Sequence, residues 1–211
     1  MTSQAIKTGA PDFFSFVGLP RKLNIDVGDL EQRYRALSRQ YHPDYFYNAA
    51  PAERRASLER SSYLNDAYRT LKNPIARVEY LLALEGVAPK TAGQDGRPSG
   101  SARAEETVPA ALLEEVFALN EELDEVRALK SGGAPADEWR QRLASARTPI
   151  ESRRAEHERQ LRDLSARWDA LVDSGADARE RREVLAALRD RILERNYINN
   201  LLAGIERELA E

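Results

Sequence analysis

The stretch from Leu30 to Asp44 carries apolar residues at Leu30, Tyr34, Leu37 and Tyr41. Steps of four, three and four put one stripe along a helix face. Pro43 fixes where that helix stops, because the residue before a proline is pushed out of the α region. A second helix is expected from near Pro51, a residue suited to a first helical turn, with Leu64, Ala67, Tyr68 and Leu71 on one face. Two such helices joined across a short loop form an antiparallel hairpin, with His42-Pro43-Asp44 exposed at its tip.

The rest of the chain also reads as helix. Asn73-Pro74 restarts one through Ile75, Val78, Tyr80, Leu81, Leu82 and Leu84, ending at Gly86. Residues 89–101 have the glycine, proline and serine content of a mobile linker, so a domain boundary is expected there. Helices follow over about 109–130, 136–173 and 177–210, the middle one expected to kink or break at Pro149. No segment shows the alternation of a strand. The expected architecture is all-α: a tail over residues 1–11, a hairpin domain over 12–87, a linker over 88–107, and an antiparallel three-helix bundle over 108–211.

Charge narrows the function classes. The net charge of −3 argues against generic nucleic-acid binding. Its distribution is uneven, with 12 Lys+Arg against 10 Asp+Glu through residue 87, and 20 against 25 after it. The absence of cysteine removes disulfides and thiolate metal sites. Residues 1–11 lack the apolar run of a signal peptide, and no segment approaches the length of a membrane span, so a cytoplasmic location is expected. His42 and Asp44 supply at most two metal ligands. His157, the other histidine, lies in the charged run Arg153–Arg159 and reads as solvent-facing. No carboxylate pair is placed for acid–base work. An enzyme is not expected.

Two helices carry more apolar surface than one seam requires. In the first bundle helix Leu112, Val116, Leu119, Leu123 and Val126 form the seam, and beside it run Leu113 and Phe117, continued by Glu121 and Glu125. In the last helix Ile198, Leu202, Ile205 and Leu209 form the seam, with Leu193, Tyr197 and Leu201 alongside. The extra rows are either a wider core face or an exposed apolar patch with an acidic rim, the mark of a protein-binding site.

Several motifs stand in one order: Asp12-Phe13-Phe14, Gly18-Leu19-Pro20, Tyr34-Arg35-Ala36-Leu37, Tyr41-His42-Pro43-Asp44, and Leu64-Asn65-Asp66-Ala67-Tyr68-Arg69-Thr70-Leu71. This set resembles the J-domain, the module that stimulates ATP hydrolysis by DnaK/HscA-type chaperones. Arg77-Val78-Glu79-Tyr80-Leu81-Leu82 and Glu121-Glu122-Leu123-Asp124-Glu125 extend the resemblance to the HscB family, J-protein co-chaperones of iron–sulfur cluster assembly. The resemblance implies that His42, Pro43 and Asp44 engage an HscA/DnaK-type chaperone. Arg35 and Arg39, four apart and off the apolar stripe, would supply a basic docking patch. It further implies that Leu113, Phe117, Glu121, Glu125 and Tyr197 bind an IscU-type scaffold. No cofactor, metal, nucleic acid or membrane partner is implied. The chain departs from the family pattern at Tyr45, Glu114 and Ala118. A J-protein with a different client, its bundle serving as adaptor or dimerisation element, is the alternative. A purely structural helical protein is a third.

Overall fold

The computed structural model describes residues 11–87 and 110–210. Among these, seven α-helices and one 3-10 turn account for the regular structure, with no strand. The helices are α1 (Phe13–Val17), α2 (Val27–Tyr41), α3 (Pro51–Lys72), α4 (Pro74–Leu84), α5 (Ala110–Ser131), α6 (Ala136–Ser174) and α7 (Ala178–Ala210). The tail over 1–10 and the linker read at 88–107 lie outside the described residues.

Each N-terminal helix starts and stops for a local reason. Asp12 caps α1 by accepting from the Ser15 N–H at 3.1 Å. Gly18, at φ 73°, closes it in the left-handed conformation a side chain resists. Asp26 caps α2 through the Gly28 and Asp29 N–H groups. Its end at Tyr41 and the extended backbone of His42 (ψ 127°) are what Pro43 imposes. Pro51 opens α3, where Glu53 accepts from the Ala50 N–H at 3.2 Å. Asn73 caps α4 through Ile75 and Ala76.

Helices α2 and α3 run antiparallel. Tyr34 donates to Asn65, Tyr68 to Glu31, and Ser57 to the Tyr41 carbonyl, so contact numbers rise along α2 as they fall along α3. Leu30, Leu64, Ala67 and Leu71 are buried together with Phe13, Phe14 and Val17; Tyr34, Leu37, Tyr41 and Tyr68 pack half-buried against them. Two of the family-like motifs acquire structural roles here. Phe13 stacks on Tyr80 at 4.4 Å, and its N–H donates to the Tyr80 hydroxyl at 2.9 Å. Burial pushes that phenol up to about 12. Arg77 is almost fully buried and donates to the carbonyls of Leu71, Leu23 and Lys72.

The chain forms two compact units that do not coincide with the segments 12–87 and 108–211. The first joins the N-terminal residues through Pro89 with Leu164–Arg189; the second comprises Lys90–Asp163 and Asp190–Glu211. Within the first unit, α6 residues clamp the segment between α1 and α2. Trp168 Nε1 donates to the Arg21 carbonyl at 2.8 Å. The Asp169 carboxylate accepts from the Leu23 and Asn24 N–H groups at 2.6 and 2.9 Å, and Lys22 pairs with Asp173.

The second unit is built on Leu119, Leu123 and Val126 of α5, Trp139, Leu143 and Ile150 of α6, and Ile198, Leu201, Leu202 and Ile205 of α7. Two expectations are corrected. α6 runs unbroken through Pro149. The ring is exposed, so the single hydrogen bond it forfeits lies on the solvent side, while Leu143 and Ile150 hold the helix to the core on either side. His157 is buried rather than solvent-facing, 2% exposed, and its Nε2–H donates to the Arg191 carbonyl at 2.6 Å. It occupies a core-facing position seven residues beyond Ile150 and four before Leu161, both buried.

Candidate functional site

The tip is built where α2 ends. His42 terminates the helix and also caps the 3-10 turn Pro43–Phe46, accepting from the Asp44 N–H at Nδ1 over 3.3 Å. The Asp44 carboxylate lies 3.5 Å from Nδ1 and is 87% exposed, with the His42 side chain half-exposed. The Ser57 hydroxyl, bonded to the Tyr41 carbonyl at 2.8 Å, ties the end of α2 to α3 and so fixes the base on which the tripeptide stands.

Arg35 and Arg39 line one shallow groove on α2 with Glu31, Gln32, Tyr34 and Ser38. Arg35 is 75% exposed and only loosely paired with Glu31 at 3.6 Å, while Arg39 is exposed and has no ionic partner among the described residues. Glu31 is itself held by Lys72 at 3.0 Å and by the Tyr68 hydroxyl. Those two hydrogen bonds, Lys72 first, lower its carboxyl below the usual value. Arg33 does not belong to this face. It pairs with Asp29 at 2.9 Å and donates to the Gly18 carbonyl at 2.8 Å.

The second candidate surface is less uniform than its sequence pattern. Phe117 is 69% exposed and Glu121 is exposed, four residues apart on α5. Glu125 continues that row and pairs with Arg142 of α6, which also binds Glu122 at 2.8 Å. Tyr197 packs half-buried against the core, and Leu201, read in the same extra row of α7, is a core residue. Among the described side chains the extra row packs into the core at Tyr197 and Leu201 on α7 and faces solvent at Phe117 and Glu121 on α5. The side chains of Leu112 and Leu113 lie outside the described residues.

Sequence patterning missed a groove of about 650 Å³ between α5 and α6, lined by Ala118, Leu119, Glu122, Arg142, Ala146 and Ile150. It also missed the exposure of Tyr45 and Tyr47 beside the tip. The first depends on how two helices diverge, which periodicity does not encode. The second was signalled by aromatic residues that fall on neither apolar stripe. Among the described residues no group of three His, Asp or Glu side chains is placed to hold a metal, and no helix is long and apolar enough to cross a membrane.

The described residues thus hold a helical hairpin with an exposed His-Pro-Asp tip within an all-helical fold. The comparisons are more particular. Over 116 residues, 54% of the chain, the sequence is 36% identical to the co-chaperone protein HscB of Proteus mirabilis (strain HI4320). The match spans 60% of that relative's length. The fold matches the chaperone HscB from Vibrio cholerae with a TM-score of 0.54 and 27% identity, over 93% of this chain and 96% of that one. It also matches the human co-chaperone protein HscB with a TM-score of 0.60 over 95% of this chain and 83% of that one; the 21% identity there speaks for the fold alone. No family model matches the chain. In sequence and in fold the chain is HscB-like.

Proposed function

We propose that this protein is a co-chaperone that stimulates the ATPase of an HscA/DnaK-type chaperone and delivers an IscU-type iron–sulfur scaffold to it, acting in the cytoplasm and performing no chemistry of its own. The single observation that carries the reading is the His42-Pro43-Asp44 tip, held on an antiparallel hairpin with the His42 and Asp44 side chains turned to solvent. Arg35 and Arg39 form the flanking cationic face that steers docking. Docking stimulates hydrolysis by favouring a hydrolysis-competent arrangement of the chaperone. Residues 12–87 supply this activity, and 108–211 carry the scaffold site at Leu113, Phe117, Glu121, Glu125 and Tyr197. Exposed Phe117 beside Glu121 supports that assignment, because a large apolar side chain rimmed by carboxylates suits an apolar and basic partner surface. Two modest contacts on one chain raise the effective concentration of the second, so neither has to be tight.

The test is steady-state ATP hydrolysis by an HscA-type chaperone with this protein and an IscU-type scaffold, added singly and together. His42→Gln is expected to abolish stimulation with the melting curve unchanged. Phe117→Ala combined with Glu121→Ala is expected to abolish only the synergy with scaffold. Stimulation that needs His42 but ignores the scaffold would replace the client, and absence of stimulation would overturn the reading.

A further inference from the structure

The loop from His42 to Ala50 contains one carboxylate, Asp44, and no Lys or Arg. It holds instead the two most exposed large apolar side chains among the described residues, Tyr45 at 73% and Tyr47 at 78%. Single exposed apolar residues are ordinary on a protein surface. These two are not scattered. Tyr45 lies within the 3-10 turn and makes an edge-on contact with His42, with ring centroids 6.1 Å apart and planes at 71°, and Tyr47 follows directly at the end of that turn.

The hydroxyls tell the two apart from other tyrosines of the hairpin. Tyr34 donates to Asn65, Tyr63 to the Pro11 carbonyl and Tyr68 to Glu31, while Tyr80 accepts from Phe13. The Tyr45 and Tyr47 hydroxyls have no hydrogen-bond partner among the described residues. Apart from the Tyr45 ring's edge-on contact with His42, no recorded interaction engages either ring or hydroxyl. Exposed tyrosines of this kind bring large contact area at low conformational cost and are enriched among the residues that dominate binding energy.

We propose that Tyr45 and Tyr47 are affinity-determining contacts for the chaperone's ATPase domain, adding an apolar clamp next to the His42-Pro43-Asp44 tip. The inference rests on the reading of the tip as the chaperone-docking site and names what that partner presents there: an apolar surface, in contrast to the acidic surface suited to Arg35 and Arg39. A protein face that covers His42 also meets the Tyr45 ring lying against it, and Tyr47 stands exposed two residues further on. The tip and the α2 face then divide the work. Arginines set the encounter rate and its salt dependence, while the tyrosines set how long the complex lasts.

The experiment is a titration of ATPase stimulation of a purified HscA-type chaperone by the full chain, at low and at high salt. Tyr45→Ala/Tyr47→Ala is expected to raise the half-maximal concentration about tenfold at both salt levels, with maximal stimulation retained. Tyr45→Phe/Tyr47→Phe is expected to restore it to within about twofold, because the ring and not the hydroxyl carries the contact. Arg35→Ala/Arg39→Ala should instead lose affinity chiefly at low salt. A double alanine variant that matches the parent, or a double phenylalanine variant as weak as the alanine one, overturns the apolar clamp. His42→Gln is the separate control. If it stimulates like the parent, the docking site itself is misassigned; if it is inactive while the alanine variant is normal, only the clamp fails. Superimposable circular-dichroism melts of all variants keep the readout on binding.

Discussion

Arg77 shows how a residue that looks functional in sequence becomes structural in space. It is one of the charged residues in a family-like motif, yet its side chain is 4% exposed and spent on backbone carbonyls of Leu71, Leu23 and Lys72. Burial lowers its pKa, but a guanidinium stays charged throughout the accessible pH range. Arg77→Met keeps the stem and leaves the carbonyls bare, so it is expected to cost about 3 kcal/mol of stability, read from the urea midpoint. A loss under about 1 kcal/mol would mean that water takes over the guanidinium's bonds. Asp12 titrates at the same scale. Burial raises its carboxyl pKa, but the hydrogen bonds from Arg21 and Ser15 outweigh that and leave it below 3.8. The stability it contributes is therefore complete above that value and is lost as pH falls through the lowered folded pKa. Asp12→Asn should flatten the acid limb of the stability curve below about pH 4, measured by urea unfolding at several pH values. An acid limb unchanged by the substitution would contradict this. His157 marks where residue-scale reading failed. The charged run around it suggested a surface position, but Leu143, Ile150, His157, Leu161 and Trp168 step by seven, seven, four and seven along α6, and all five are buried. The periodicity was present and was masked by composition.

At the scale of elements, stripes and stop signals were legible because their causes are local. Pro43, Gly86 and Asn73-Pro74 end or start helices through backbone sterics and capping that act within a few residues. At Pro149 local sterics are only part of the account, and α6 continues through it. A proline inside a helix removes one donor and crowds the carbonyl four residues back, a cost of about 3 kcal/mol in an isolated helix. In α6 the buried residues Leu143 and Ile150 flank it, and the ring is exposed. Packing therefore overrides propensity, and the cost remains as a standing destabilisation. Pro149→Ala is expected to raise stability by about 1–3 kcal/mol, with a matching rise in the thermal midpoint. A lowered midpoint would show that the proline relieves some other constraint. The doubled stripes of α5 and α7 teach the complementary lesson. Identical patterns gave an exposed Phe117 on one helix and a buried Leu201 on the other, since a stripe fixes a face of its own helix and not what that face meets.

Across the whole molecule, the compact units are the feature least written in the chain. Glycine, proline and serine between 89 and 101 mark a boundary by composition. The contact-based unit nevertheless gathers Leu164–Arg189 with the N-terminal helices. The physical reason is a clamp made chiefly by Trp168 and Asp169, 145 to 147 positions downstream of the residues they bind. The segment Arg21–Asn24 has no helix or strand to satisfy its backbone. Asp169 accepts two of its N–H groups, Trp168 donates to the Arg21 carbonyl, and Arg77 takes the Leu23 carbonyl. Hydrogen bonds to an ionised acceptor are worth more than neutral ones, about 1.5–3 kcal/mol each, and their loss would leave the Leu23 amide buried without a partner. No pattern in the sequence pairs an aspartate on one helix with a loop so far upstream. Asp169→Ala is therefore expected to raise the hydrogen-exchange rates of the Leu23 and Asn24 amides at least about tenfold. Amides of Leu64 and Leu71, inside the α2–α3 hairpin core, should slow or hasten far less, because their bonds are intrahelical and their burial does not involve Asp169. Equal acceleration at both sets would mean that α6 supports the hairpin as one cooperative unit and not through a local clamp. Unchanged exchange at Leu23 and Asn24 would mean that the clamp does not hold the segment at all.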